Sequence, residues 1–129
     1  MRKVLLLGSS DPGTTLLKEI LAQHTDASSV SDIPELLSLL SEEPFDALFC
    51  DWRFPLGTWW DVLESVQRLY PQLPLIVVCR KGGEREWREV LDAGAFDLLT
   101  EPFSERAVLY LLEHALVTRD VRARIRPVA

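Results

Sequence analysis

Short apolar runs alternate with stretches of helical periodicity along the whole chain, and no other feature constrains the fold as tightly. The runs cover residues 3–7, 27–30, 45–50, 73–79 and 96–99. Between them, Leu16, Leu17, Ile20 and Leu21, then Leu36, Leu37 and Leu40, then Val62, Leu63 and Val66 recur at the spacing of amphipathic helices. The run 73–79 is nearly continuous in apolar residues, as a strand buried on both faces requires. Strands that alternate with helices, without an internal repeat, predict one parallel sheet covered on both sides. The expected fold is a single doubly wound α/β domain.

Capping residues sharpen the boundaries. Asp11 is a good N-cap and Pro12 suits the first helical position. Asp32 or Ser31 caps a second helix that Pro44 ends, and a third helix over 59–70 stops before Pro71. Gly82 and Gly83 precede a charged fourth helix over 84–93, which Gly94 terminates. Ser104 caps the last helix, with Glu105 in its first turn and Val108, Leu109, Leu111, Leu112, Ala115 and Leu116 along it.

The 129 residues suffice for one domain, assigned here to 1–118, with 119–129 as a helix extension, linker or basic tail. A formal charge of −6 argues against nucleic-acid binding through the body of the domain, although Arg119, Arg122, Arg124 and Arg126 make its end basic. No apolar run approaches the ~20 residues of a membrane span, and no signal peptide precedes the first strand. Two cysteines in such a chain suggest reduced thiols. A cytoplasmic protein is expected.

The stretch Phe45-Asp-Ala-Leu-Phe-Cys-Asp51-Trp-Arg-Phe-Pro55 delivers one carboxylate, Asp51, to the C-terminal end of the third strand. That edge is where ligand chemistry sits in open α/β sheets. Asp51-Trp-Arg-Phe-Pro55 resembles the phosphoacceptor loop of response-regulator receiver domains. Gly94-Ala-Phe-Asp-Leu-Leu-Thr-Glu-Pro102-Phe103 resembles the stretch before and into their fifth helix. The resemblance spans about residues 3 to 117. It implies a flavodoxin-like (βα)5 sandwich with a five-stranded sheet of order 2-1-3-4-5. It also implies a place in bacterial two-component signalling, with a histidine kinase, an output domain or a second copy as partner. The usual dimer and partner surface of that family is the fourth helix, fifth strand and fifth helix.

The family's site has five working residues, and only the phosphoacceptor, Asp51, clearly matches. Two acids that hold Mg²⁺ after the first strand fall on Gly8 and Ser9, or on Ser9 and Ser10 in a shifted loop. Asp11 lies too far along for that pair and is better explained as a cap. Cys79 stands at the hydroxyl position, Glu101 at the lysine position and Leu98 at the aromatic switch position. Phosphoryl transfer needs its charge neutralised, chiefly by metal and lysine. Mg²⁺ demands hard oxygen ligands. Removing one preorganised electrostatic group typically costs roughly 10²–10³ in rate. The sequence therefore reads as a degenerate receiver, not an enzyme, without a cofactor and with weak or absent Mg²⁺ binding.

Rival readings are a working receiver phosphorylated on Asp51 and, in a different class, a flavin-binding protein. For the latter, Ser10-Asp-Pro-Gly13-Thr-Thr15 resembles the phosphate loop of flavodoxins, but Asp11 would repel the phosphate. Asp51 itself is satisfied by backbone N–H groups or a salt bridge. A guanidinium from Arg53 or Arg80 in the metal's place is preferred over a poor two-carboxylate metal site of Asp51 with Glu101.

Alternation places Cys50 on the face opposite Asp51 and turns Cys79 toward the site, so the two thiols cannot bridge. One of Trp59 and Trp60 anchors the third helix, and the other lies near the rim of the Asp51 loop. Trp87 shares a stripe with Val90 and Leu91 and is expected in the core. If partly exposed it is a hot spot of an interface with Leu98 and Tyr110. His24 and His114 read as surface residues without an acid or metal-ligand partner.

Overall fold

The computed structural model describes residues 1–9 and 11–124, so Ser10 and Arg126 lie outside the described residues. Chain order is β1 (Lys3–Leu7), α1 (Pro12–His24), β2 (Asp26–Val30), α2 (Ile33–Glu42), β3 (Ala47–Asp51), β4 (Arg53–Phe54), β5 (Gly57–Thr58), α3 (Trp59–Leu69), β6 (Leu75–Cys79), α4 (Glu84–Ala93), β7 (Asp97–Thr100) and α5 (Glu105–Arg124). Five strands form one parallel sheet in the order β2-β1-β3-β6-β7. Counted without the short β4 and β5, that is the expected 2-1-3-4-5.

Helix starts follow the caps. Asp11 accepts from the Thr14 N–H at 2.8 Å, Asp32 from the Glu35 N–H at 2.9 Å and the Ser104 hydroxyl from the Ala107 N–H at 3.1 Å. Each satisfies a donor that the first helical turn leaves without a backbone partner. Gly94 ends α4 at φ 108°, a left-handed conformation that suits glycine.

Two apolar layers flank the sheet. On one side Leu5, Leu7, Leu48, Cys50, Val77 and Cys79 meet Leu36 of α2, Val62 and Val66 of α3 and Val90 of α4. On the other, Val4, Leu6, Phe49, Ile76 and Val78 meet Leu17 and Leu21 of α1 and Val108, Leu112 and Ala115 of α5. The β3–β6 register pairs Cys50 with Val77 and Asp51 with Val78. Partners in register share a face, so Cys79, two residues beyond Val77, falls on the same face as Cys50. This corrects the expectation that the two cysteines lie on opposite faces, although Cys79 does border the cleft that holds Asp51.

Two further features depart from the sequence reading. The Asp51 loop folds into a two-residue hairpin, with Arg53 opposite Thr58 and Phe54 opposite Gly57. Its tip carries Leu56 at φ 71°, fully exposed. Trp87 is 44% exposed instead of core-packed, and Val90 is the buried residue of α4. The helix α5 runs unbroken to Arg124, so residues 119–124 take the helix-extension form among the readings given for that segment. Its end is tied back: Asp120 bonds Arg2 at 2.7 Å, and Arg119 lies 3.5 Å from Asp46. No described helix is long and apolar enough to cross a membrane.

Candidate functional site

The C-terminal ends of β1, β3, β6 and β7 converge on one edge of the sheet and deliver the predicted site residues there. A cleft of about 430 Å³ lies among Ser9, Asp11, Asp51, Arg53, Arg80 and Glu101. Asp51 is buried at its floor, on the face shared with Phe49 and Val78.

Among the described residues, one oxygen of Asp51 takes all its hydrogen bonds. Oδ2 accepts from the Ser9 N–H at 3.0 Å, the Thr14 hydroxyl at 3.0 Å and the Ser9 hydroxyl at 3.3 Å. Burial pushes the carboxyl above its usual range; the Ser9 and Thr14 donors oppose the rise, and the negative charge of Asp11 adds to it. Gly8 makes this approach feasible. A Cβ there would stand 2.8 Å from Asp51 Oδ2 and 2.9 Å from Thr14 Cγ2. The space in which an acid at position 8 would begin is therefore filled by Asp51 and Thr14.

Asp11 is more than a helix cap. Its carboxylate also accepts from the Ser9 hydroxyl at 3.0 Å and pairs with the Arg80 guanidinium. Partial burial raises this carboxyl, but the Thr14 N–H, Arg80 and the Ser9 hydroxyl outweigh that and hold it at about 2. Arg80 thus serves Asp11, which corrects the expectation that it stands directly on Asp51. Arg53 is exposed on the cleft wall and makes no ion pair among the described residues.

Glu101 leans on the first turn of α1, where a Cβ on Gly13 would overlap its carboxylate. Acids are favoured at that end of a helix. The Glu101–Pro102 peptide bond is cis. Among the described residues no three His, Cys, Asp or Glu side chains converge as metal donors. Gly8 offers no ligand, Ser9 offers a hydroxyl engaged with both acids, and Asp11 is neutralised by Arg80. Beyond Asp51, this donor set fits Mg²⁺ poorly, since that ion asks for octahedral hard oxygen ligands and is usually held through one or two carboxylates with several waters. The Cys79 thiol is pushed up by burial, against the Lys81 N–H, with Glu86 and Glu101 adding to the rise. Burial raises the Cys50 thiol further, and it donates to the Asp51 carbonyl at 3.2 Å.

Around the cleft, Trp59 is buried against Trp52, ring centroids 5.4 Å apart, while Trp60 stays 49% exposed. On the α4–β7–α5 side, the Trp87 Nε1 donates to Asp97 at 3.0 Å and Tyr110 is exposed. Leu98, expected with them, is buried in the core, because β7 turns it inward beside Val77. His24 has an acid partner after all, Glu105 at 2.7 Å, contributed by α5. Sequence reasoning missed Thr14. Its signal was a hydroxyl three residues past a cap, on the turn facing a strand-end acid.

Residues 11–113 match the family model of the response regulator receiver domain. Over 129 residues the chain is 32% identical to the response regulator protein PilR of Pseudomonas aeruginosa, covering 98% of this chain and 29% of PilR. A CheY homolog of Campylobacter jejuni is 26% identical over 121 residues, covering 90% of this chain and 93% of that protein. The chain thus spans under a third of PilR and nearly all of the CheY homolog. Among solved structures, the beryllofluoride-activated NtrC4 receiver domain dimer superposes with a TM-score of 0.82 at 22% identity, over 92% of this chain and 99% of that one. NtrX from Brucella abortus gives 0.86 at 19% identity, over all of this chain and 31% of that one. With its sheet order, its strand-end Asp51 and a match over most of its length, this chain belongs to the response regulator receiver domain family.

Proposed function

We propose that this receiver is a degenerate one, an interaction module of bacterial two-component signalling in the cytoplasm that catalyses no reaction of its own. Its conformation is set by protein partners and not by Mg²⁺-dependent phosphorylation of Asp51. Those partners are a histidine kinase, an output domain or a second copy of the chain.

One observation carries the reading. Asp51 Oδ2 rests on Ser9 and Thr14 within space that Gly8 leaves vacant, so position 8 has no room for an acid, and in neither register, Gly8 with Ser9 or Ser9 with Ser10, does the family's acid pair have a carboxylate. The nearest committed cation, Arg80, is spent on Asp11, and Glu101 presents a negative charge where the family has a lysine. An incoming phosphoryl group would meet the charges of Asp51 and Glu101, with only the cleft-bordering Arg53 and Lys81 uncommitted among the described cations there. A flavin phosphate fares no better, because the Thr14 N–H at that turn already serves Asp11.

A working receiver remains the second reading, and one feature favours it. Asp51 Oδ1 makes no hydrogen bond among the described residues, and the exposed Arg53 and Lys81 border the same cleft. Incubation with acetyl phosphate and Mg²⁺, followed by intact-mass analysis, separates the two. Unmodified protein is the expected result; a stoichiometric phosphate adduct on Asp51 would overturn the proposal.

A further inference from the structure

A second cleft, of about 560 Å³, lies at the opposite edge of the sheet from Asp51, by the N-terminal ends of β3 and β6. Small-molecule sites occupy about 300–1,000 Å³. Leu40 of α2, Phe45 before β3, and Tyr70 and Leu73 after α3 give the cleft an apolar lining, and Arg119 of α5 borders it. The Arg119 side chain is only 24% exposed, yet its guanidinium makes no hydrogen bond among the described residues. Asp46 and Asp120 stand 3.5 and 3.7 Å away, longer than the roughly 2.7–3.2 Å of an N–H···O bond. Both acids are engaged elsewhere. Asp120 takes the Arg2 guanidinium at 2.7 and 3.4 Å, and Asp46 accepts from the Lys3 N–H at 2.9 Å. Glu42, exposed at the end of α2, also lines the cleft and has no ion pair among the described residues. Beside it, Pro44 has no N–H to return to the Leu40 carbonyl, so the negative end of the α2 dipole meets the cleft without that partner.

We propose that this cleft binds a free α-amino acid with a large apolar side chain. The Arg119 fork takes the carboxylate in a bidentate pair, the geometry for which a guanidinium is shaped. Glu42 and the C-terminal end of α2 take the ammonium, since a cation is favoured at that end of a helix. Leu40, Phe45, Tyr70 and Leu73 cover the side chain. Charge balance selects a zwitterion over a plain acid or a plain amine. At this end of the domain Arg2, Lys3 and Arg119 offset Asp46, Glu43 and Asp120, three against three, and Glu42 is left over. A carboxylate without an ammonium would add a second uncompensated negative charge. An amine without a carboxylate would set a cation beside Arg119 and leave its donors unused. The cleft shares no lining residue with the one around Asp51, so its occupancy does not depend on the state of that carboxylate.

A ligand of about a dozen non-hydrogen atoms supports a dissociation constant of about 0.1–1 mM. Calorimetric titration of the full chain with L-phenylalanine and with L-leucine is expected to read binding in that range. The N-acetyl derivative of the amino acid that binds lacks the ammonium, and its amide lacks the carboxylate. Each is expected to bind at least about tenfold more weakly. Arg119→Met is expected to remove binding, and Glu42→Gln, an exposed change that leaves packing alone, to weaken it about three- to tenfold. Arg119→Lys, which keeps the charge and loses the fork, is the milder variant if methionine shifts the melting curve. In ¹H–¹⁵N spectra the amide signals of Glu43, Phe45 and Leu73 are expected to move on titration, while those of Ser9 and Arg80 stay. No binding of either amino acid up to about 10 mM, an N-acetyl derivative or amide that binds as well, affinity unchanged in the Arg119 variants or in Glu42→Gln, or signals that move only around Asp51 would each overturn the proposal.

Discussion

The guanidinium of Arg80 closes on the carboxylate of Asp11 and leaves Asp51 to Ser9 and Thr14. A residue from the loop after β6 is thereby fastened to the N-cap of α1. Asp11→Ala removes both the cap and the pair and is expected to cost about 1–2 kcal/mol in urea unfolding at neutral pH. The sign with pH follows from linkage. The folded Asp11 carboxyl titrates at about 2, below its ordinary 3.8. Its contribution is complete above pH 3.8 and is lost as pH falls toward 2. A wild-type advantage over Asp11→Ala that is equal at pH 7 and pH 2 would contradict the pairing.

Asp51 runs the other way. Burial holds its carboxyl above the ordinary 3.8, so the folded protein binds that proton more tightly than the unfolded chain does. Stability on this account falls as pH rises from 3.8 through the folded value, and the cost persists at neutral pH. Asp51→Asn keeps an oxygen for Ser9 and Thr14 while removing the charge. It is expected to raise stability at pH 7, with the gain shrinking toward pH 4. Denaturant midpoints at the two pH values test this, and a destabilised Asp51→Asn at pH 7 would refute it.

Leu56 sits at the hairpin tip with φ 71° and its side chain wholly in solvent. A left-handed conformation costs a non-glycine residue about 1–2 kcal/mol. The extra freedom of glycine in the unfolded chain costs about 0.5–1 kcal/mol. With no packing to lose, Leu56→Gly is expected to raise the melting temperature slightly, by the equivalent of about 0.5–1 kcal/mol. A lower melting temperature would mean that the tip adopts another conformation.

Trp59 and Trp87 look alike in sequence, each opening an apolar stripe, and differ in burial, at 4% and 44% exposure. Trp59→Ala opens a cavity beside Trp52 and is expected to cost about 3–5 kcal/mol. Trp87→Ala loses one exposed hydrogen bond to Asp97 and is expected to cost less than about 1 kcal/mol. Guanidinium unfolding of the two variants ranks them, and the reverse order would refute the burial assignment.

The sequence by itself determined the five strands and their covering helices, while the strand order came only with the family resemblance. Those follow from local chemistry: apolar runs of strand length, caps at Asp11, Asp32 and Ser104, and Gly94 at a left-handed helix end. It also placed Asp51 at the end of a central strand. Only the tertiary structure decided what those residues touch. Alternation fixes parity within one strand, but register fixes it between strands, so Cys79 joined Cys50 and Leu98 turned inward beside Val77. Thr14 reaches Asp51, and Arg80 chooses Asp11, through contacts between residues 37 and 69 positions apart. Such pairings depend on where whole elements lie, and no local pattern encodes that.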